Sequence, residues 1–163
     1  MRNTTVCQLL SASSMTSKVY MDIMISHSSS KVGKPQRVTF SLFTKKCPVA
    51  CENFVKLCMG TNAIPEMSSK DFIHEPVFKD QFLPQLTYLS STFHRVCPGL
   101  CVQGGDVCNN HGTGQVCVFG DSFDAPQETG QSVFDTRGLL GTAVSAPHLN
   151  HSQFFILTAN AAP

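Results

Sequence analysis

Arg95 is the residue in this sequence that most needs a chemical explanation. In residues 92–97 the alternation of a strand places Phe93, Arg95 and Cys97 on one face. Burying a guanidinium among apolar side chains without partners is costly. Arg95 is therefore either an edge residue whose head group reaches solvent, or a cation directed across an apolar groove at the carbonyl of a ligand. The pattern alone leaves both interpretations open.

Two glutamines and a pair of phenylalanines accompany this arginine. The amides of Gln103 and Gln153 could hold either the guanidinium or a peptide backbone. Phe154 and Phe155 are adjacent in an apolar strand, where successive side chains point to opposite faces. One of the two rings must therefore face away from the core.

The eight cysteines include two pairs with the same C-x3-C spacing, Cys47/Cys51 and Cys97/Cys101. A structural zinc site usually needs two tight ligand pairs, and Pro98-Gly99 inside the second pair is poor zinc-knuckle chemistry. We expect reduced, mostly buried thiols, which is typical of a cytoplasmic protein. Zinc is the weaker alternative.

Neither the glycine-rich segments nor the histidines predict a cofactor. Gly104-Gly105-Asp106 and Gly112-Thr113-Gly114 are not followed by the helix and Lys-Ser/Thr of a nucleotide loop. The histidines are interpreted as surface or core residues rather than as metal ligands or bases, since no Ser or Cys stands in a nucleophile-elbow context. The sequence predicts no metal and no cofactor. The histidines considered are His94, His111, His148 and His151.

Composition limits the classes of partner. The chain has 163 residues, enough for one domain, and its 12 basic and 11 acidic residues give a net charge of +1. This balance argues against nucleic acid or an anionic membrane as partner. No apolar run approaches the ~20 residues that span a bilayer. Residues 1–17 are predicted to be a flexible leader, with a transit peptide as the weaker alternative.

The elements that must position these side chains are mainly strands. Residues 19–25 and 37–43 alternate and are joined by a polar turn, which predicts an antiparallel hairpin. Residues 48–59 have a helical period with Pro48 at the start and Gly60 after the end. Residues 61–85 show no sustained period and are predicted to form a packed loop. Further strands are predicted at residues 92–97, 100–103, 116–119, 139–145 and 153–157.

Several motifs, in order along the chain, resemble the cyclophilins. Residues 18–59 and 86–159 carry the resemblance. The central signature is long and specific, and the flanking matches are independent of it. The matching residues are Phe93-His94-Arg95-Val96-x-Pro98-Gly99-x-x-x-Gln103-Gly104-Gly105-Asp106, then Cys47-Pro48-x-x-x-Glu52-Asn53-Phe54-x-x-Leu57-x-x-Gly60, Gly112-Thr113-Gly114, Phe119-Gly120, Gly138-Leu139-Leu140 and Ser152-Gln153-Phe154-Phe155-Ile156.

The resemblance implies a peptidyl-prolyl cis-trans isomerase on a mainly β fold, an antiparallel β-barrel with a capping helix, over residues 18–163. It implies that Arg95 and Gln103 are catalytic. It further implies proline-containing peptides or proteins as substrates, a cyclosporin-like ligand in the same groove, a monomer and a cytoplasmic location. The implied substrate-binding residues are Phe155, Leu100, Cys101, Ala143, Val144, Gln153 and His94.

The sequence departs from the family pattern at the groove. Leu100 stands where the family usually has Phe, Cys101 where it has Met, and Val144 where it has Asn. Residues 61–85 resemble an insertion, and the barrel is expected to lack its C-terminal end. These departures leave two alternatives to a weakly active isomerase: a non-catalytic proline-peptide or protein-binding module, and a chain that does not fold alone.

Overall fold

The computed structural model describes residues 3–8, 18–25, 33–60, 85–126, 128, 134–146 and 149–160. The predicted loop and insertion at 61–85 lie outside this range except for Gln85. The seven strands and one helix of the described residues are β1 (Asn3–Gln8), β2 (Lys18–Ile25), β3 (Gln36–Ser41), α1 (Pro48–Met59), β4 (Ser91–Cys97), β5 (Cys101–Gly104), β6 (Leu140–Ala146) and β7 (Leu149–Leu157).

The strands form one sheet in the order β3-β2-β1-β4-β5-β7-β6. Each of the neighbouring pairs is antiparallel. The predicted hairpin is confirmed as β2 and β3, in which Tyr20 lies opposite Thr39. The mainly β, antiparallel architecture predicted from the sequence is also confirmed.

Two sequence predictions about strands are wrong. β1 lies within the predicted flexible leader, yet it pairs with β2 on one side and with β4 on the other. The pairing with β4 joins residues distant in sequence, so local composition did not reveal it. The strand predicted at residues 116–119 is instead a tight turn, closed by hydrogen bonds from Cys117 N to Gly120 O (2.8 Å) and from Gly120 N to Cys117 O (3.3 Å).

The helix has the predicted bounds, but its N-terminus is stabilised by a distant residue. The Glu128 carboxylate accepts hydrogen bonds from Val49 N at 2.6 Å and Ala50 N at 3.1 Å. These backbone groups have no partner within the helix. Glu52, which the sequence places near the start, instead forms a salt bridge with Lys56 at 2.6 Å. Gly60 ends the helix at a φ of 81°, which favours glycine.

An aromatic cluster lies between α1 and the sheet. Phe154 of β7 lies 5.5 Å from Phe54 of α1, 5.2 Å from Tyr88 and 5.9 Å from Phe93, measured between ring centroids. All four side chains are buried. Buried Asn53 also ties the helix to the rest of the fold, since its amide donates to His151 O and accepts from Val118 N. These contacts pack β4 and β7 against α1.

Candidate functional site

Four residues lie side by side across the strands β4, β5, β7 and β6. Arg95 is directly opposite Gln103, Gln103 is opposite Phe155, and Phe155 is opposite Gly141. Directly opposed residues of an antiparallel pair place their side chains on the same face. We call these four residues the outer row. The outer row brings a guanidinium, an amide and an aromatic ring onto one surface.

The face of Arg95 is decided by an irregularity in β4. Phe93 is opposite Gly104, whereas Arg95 is opposite Gln103, so two steps along β4 correspond to one step along β5. His94 is the extra residue of this bulge. Phe93 consequently joins the buried row with Phe154, and Arg95 is exposed on the other face. The prediction that Arg95 shares a face with Phe93 was wrong, because strict alternation fails at a bulge.

The side-chain amides of Gln153 and Gln103 form a chain of hydrogen bonds, here called the relay, that ends at Arg95. Gln153 Nε2 donates to Gly114 O at 2.9 Å and to Gly112 O at 3.2 Å. Gln153 Oε1 accepts from Gln103 Nε2 at 3.0 Å. Gln103 Oε1 then faces Arg95 Nη1 at 3.5 Å, which is long for a hydrogen bond. The relay orients the Gln103 oxygen toward the guanidinium and leaves most of the guanidinium's donors available to a ligand.

The far end of the relay is organised by Asp106, which is completely buried. Its carboxylate accepts hydrogen bonds at 2.8–3.0 Å from the backbone N–H groups of Cys108, Asn109, Gly112 and Gly114. Burial alone would raise the pKa of Asp106, but these four donors outweigh it and hold the pKa below its ordinary value. The loop at residues 106–114 is thereby folded around the carboxylate.

Asp106 was not predicted as a positioning residue. Its place after two glycines is typical of a turn in which the carboxylate binds the following backbone, and that signal was available in the sequence. At Gly114 a Cβ would lie 2.2 Å from Asp106 Oδ1. The glycine is therefore required by the close approach of the loop to the carboxylate.

His94 supports the same loop and does not join the outer row. A Cβ at Gly112 would lie 2.7 Å from the Cδ2 atom of His94, so the ring lies directly against the loop. Burial lowers the pKa of His94, against the opposing influence of Asp106. The described geometry therefore favours a neutral ring at this position.

The apolar end of the outer row consists of two rings over a glycine. The Phe155 ring lies 5.1 Å from the Phe134 ring, tilted by 58°. A Cβ at Gly141 would lie 2.5 Å from Phe134 and 2.6 Å from Phe155. The two rings thus occupy the space that a side chain at position 141 would need. Sequence reasoning missed Phe134, whose segment shows no strand or helix pattern.

An apolar cavity of about 620 Å³ adjoins these rings. Phe134, Phe155 and Gly141 border it, and it extends to α1 and the end of β3. Arg95 and Gln103 do not line it, because they lie on the β5 side of Phe155. A ring-sized apolar group placed over Phe155 would therefore have the guanidinium on one side and this cavity on the other.

The other predicted groove residues lie around this row with different exposures. Leu100 is exposed at the turn between β4 and β5, and Cys101 is half-buried on the same face of β5 as Gln103. On β6, Val144 is 59% exposed and Ala143 is half-buried. The structure thus brings Arg95, Gln103, Phe155, Gln153 and Cys101 together, and His94 lies beside Gln153 and against Gly112.

The remaining histidines and thiols are as follows. His151 is buried and bonded through both ring nitrogens, to Asp121 O at 2.9 Å and Ser145 Oγ at 2.8 Å, as expected of a core histidine. His148 lies outside the described residues. Seven cysteines are free thiols, namely Cys47, Cys51, Cys58, Cys97, Cys101, Cys108 and Cys117. Among the described residues no group of three His, Cys, Asp or Glu side chains could hold a metal ion, and no helix there is long and apolar enough to cross a membrane.

Comparison with known proteins places the chain in a family. Residues 23–163 match the family model described as cyclophilin type peptidyl-prolyl cis-trans isomerase/CLD. This match covers most of the chain. The chain therefore belongs to the cyclophilin type peptidyl-prolyl cis-trans isomerase family, as the motif resemblance predicted.

Individual relatives agree with this placement. The chain is 37% identical to peptidyl-prolyl cis-trans isomerase B of Saccharomyces cerevisiae over 91% of its own length and 58% of the relative. It is 34% identical to the rhodopsin-specific isozyme of Calliphora vicina, over 90% of its own length and 51% of the relative. A Mus musculus relative, 34% identical over 89% of the chain and 39% of the relative, is named "Probable inactive peptidyl-prolyl cis-trans isomerase-like 6". The chain spans about half the length of these relatives.

Proposed function

We propose that this chain is a peptidyl-prolyl cis-trans isomerase that rotates X–Pro bonds at the outer row. The observation that carries the proposal is the register that aligns Arg95, Gln103 and Phe155 on one face. Family membership supports it independently. The reaction needs no nucleophile, metal or redox cofactor, and we propose none.

The chemistry required matches the groups in the row. Rotation crosses a barrier of ~18–20 kcal/mol that is set by amide resonance, and it takes tens to hundreds of seconds without a catalyst. In the twisted amide the prolyl nitrogen regains its lone pair. A fixed donor at that nitrogen or at the prolyl carbonyl lowers the barrier by preorganised electrostatics. Arg95 supplies such a donor, and its exposed guanidinium is open to a ligand.

The remaining residues have positioning roles in this mechanism. Phe155 forms the floor for the proline ring, with Leu100 and Cys101 beside it. Gln103 orients Arg95 and bonds the substrate backbone, while Gln153, held at Gly112 and Gly114, fixes Gln103. Ala143 and Val144 line the groove for the residues before proline. His94, which lies against the 106–114 loop and beside Gln153, supports that loop and contacts the substrate in this proposal.

The wider setting belongs to the same proposal. Proline-containing peptides and proteins are the substrates, with assistance to protein folding as the role. A cyclosporin-like cyclic peptide would occupy the same groove. A cytoplasmic location is part of the same proposal. We propose that the chain acts as a monomer.

Replacing Arg95 tests the mechanism. For Arg95→Ala we expect kcat/KM for a proline peptide to fall by about 10²–10³-fold, the usual cost of removing one preorganised donor. Folding should be unaffected, because the side chain is exposed. The measurement is a proline-peptide isomerisation assay with circular dichroism on the same samples.

The matched control is Arg37→Ala, which removes an exposed guanidinium paired with Asp22 at 2.7 Å, away from the outer row. Its rate should equal that of the unmodified chain. Equal rates for Arg95→Ala and the unmodified chain would refute an enzymatic role for the row.

A non-catalytic binding module is the second candidate. Leu100 is exposed at the turn, Cys101 is small, and the name of one relative carries the words "Probable inactive". If this candidate is correct, the chain binds a proline peptide without accelerating isomerisation, and Arg95→Ala leaves the dissociation constant unchanged. Titration of the peptide followed by proton–nitrogen NMR distinguishes the two functions.

A further inference from the structure

The two C-x3-C pairs occupy different geometries. Cys97 ends β4 and Cys101 begins β5, and the two residues are directly opposite in the antiparallel register. Directly opposed residues have Cβ atoms about 4.5–5.5 Å apart. A disulfide needs Cα atoms about 4.4–6.8 Å apart and Cβ atoms about 3.5–4.5 Å apart. Only a small adjustment therefore separates this pair from bonding geometry.

A tight turn holds the two thiols in this arrangement. Leu100 N donates to Cys97 O at 3.1 Å, and Gly99 adopts a φ of 73° that suits glycine. Both cysteines are half-buried, not sealed in the core. Burial and the neighbouring Cys97 thiol raise the pKa of Cys101, and the nearby Arg95 guanidinium opposes this only in part. The pair is thus close, accessible and near a permanent positive charge.

Cys47 and Cys51 have the same spacing in sequence, but Cys47 precedes α1 as its N-cap residue and Cys51 lies in the first turn of the helix. Cys47 has non-helical backbone angles, with φ −131° and ψ 63°, and no antiparallel register sets it opposite Cys51 in the way that Cys97 is set opposite Cys101. Burial, followed by the influence of Cys47 and Glu128, raises the pKa of Cys51 to about 12. Its thiol therefore remains protonated and unreactive at neutral pH. This pair is an internal control for the first.

We propose that Cys97 and Cys101 form a reversible intramolecular disulfide when the protein meets a peroxide. The bond closes the end of the hairpin that carries Arg95 and Gln103. Because Cys97 and Cys101 lie on the same face as those residues, it forms at the edge of the outer row. This makes the hairpin a covalent modification site.

The reaction balances with hydrogen peroxide as the oxidant. One thiolate attacks a peroxide oxygen, an S–O bond forms, the O–O bond breaks, and hydroxide leaves and takes up a proton. The second thiol then attacks the resulting sulfenic sulfur, so that the S–S bond forms, the S–O bond breaks and water leaves. In sum two thiols and one peroxide give one disulfide and two waters. The two sulfurs are oxidised and the peroxide oxygens are reduced.

The test is peptide mapping of the whole folded chain after a brief exposure to hydrogen peroxide. Remaining thiols are alkylated and the protein is digested without reduction. Mass spectrometry then looks for the single peptide that holds both Cys97 and Cys101, not alkylated and lighter by two hydrogen atoms than its reduced form. We expect a Cys97–Cys101 link, a monomer lighter by two hydrogen atoms, and full reversal by dithiothreitol. Cys47 and Cys51 should be alkylated as free thiols.

Variants separate the pair from the other cysteines. Cys97→Ser and Cys101→Ser should each abolish the link and the rise in melting temperature that accompanies it, whereas Cys47→Ser should preserve both. Unlinked Cys97 and Cys101 in the peroxide-treated unmodified chain would overturn the proposal. So would their linkage to other cysteines or their conversion to sulfinic acid. Since mapping needs no isomerase activity, it decides the proposal even if the proposed function fails.

Discussion

The two faces of β4, β5 and β7 carry neighbouring residues with opposite tasks. On the inner face Phe93 and Phe154 pack with Phe54 and Tyr88 into a closed aromatic cluster. On the outer face Arg95 is exposed, while Gln103 and Phe155 are half-buried and in register with it. The packing of the inner residues stabilises the fold. The outer residues can therefore remain incompletely packed. Changes on the inner face should therefore act on stability, and changes on the outer face on ligand chemistry.

The adjacent pair Phe154 and Phe155 offers the largest contrast. Phe154→Ala should lower the free energy of unfolding by about 3–5 kcal/mol, since it empties the centre of a packed cluster. Phe155→Ala should cost only about 1 kcal/mol, because its ring is half-exposed, while reducing proline-peptide turnover strongly. Denaturant unfolding of both variants, with isomerisation assays, measures the difference. Equal losses of stability would contradict the division between faces.

Asp106 organises the 106–114 loop, to which Gln153 of the outer face is hydrogen-bonded. Its carboxylate is charged and accepts four backbone hydrogen bonds, so Asp106→Asn should cost about 2–3 kcal/mol. It should also loosen Gln153 and lower activity. Asp124→Asn, at an exposed position, is the matched control and should change neither.

The same carboxylate predicts the acid dependence of stability. The pKa of Asp106 in the folded chain lies below its ordinary value, and the unfolded value is about 3.9. Its contribution is therefore fully present above about pH 4–5 and is lost as pH falls through the lowered folded pKa. Unfolding free energies measured from pH 7 downward should show this loss. In Asp106→Asn the corresponding part of the slope should be absent.

A substitution at Gly141 tests the outer face, because a larger side chain there would enter the space that the Phe134 and Phe155 rings occupy. Gly141→Ala places a methyl group 2.5–2.6 Å from the Phe134 and Phe155 rings, so the rings must move. We expect a stability loss of about 1 kcal/mol and a larger proportional loss in kcat/KM. In the Phe134→Ala background the same substitution should cost less, because one ring is gone. Full additivity in this double-mutant cycle would show that the rings do not couple through Gly141.

The smallest of these expected effects is the contribution of His94 to the pH dependence of stability. Burial lowers its pKa, so the neutral ring contributes stability that begins to fall as pH drops below the unfolded value of about 6.5 and is lost once pH passes the lowered folded pKa. A titration followed by NMR should give a lower pKa for His94 in the folded chain than in the same chain in denaturant. The assignment is made with His94→Gln. An equal or higher folded value would mean that the ring is not shielded by the loop.

Much of the fold was predictable because its signals are local. The period of residues 48–59, with Pro48 and Gly60 at the ends, predicted the helix with its observed bounds. Alternation predicted the β2–β3 hairpin and four further strands within a few residues. The adjacent rings of Phe154 and Phe155 showed that one must leave the core, since neighbouring residues of a strand cannot share a face.

The sequence by itself also determined the family, because the central motif is long and specific. It also indicated Arg95, Gln103 and Phe155 as candidate site residues. Only the tertiary structure decided how these residues are arranged. It placed the bulge at His94 that turns Arg95 outward, brought Glu128 to the start of α1 and set Phe134 against Phe155. Each of these depends on contacts between segments distant in sequence or on a one-residue shift in register. Such contacts are selected by the packing of the whole domain and leave no periodic trace in the chain.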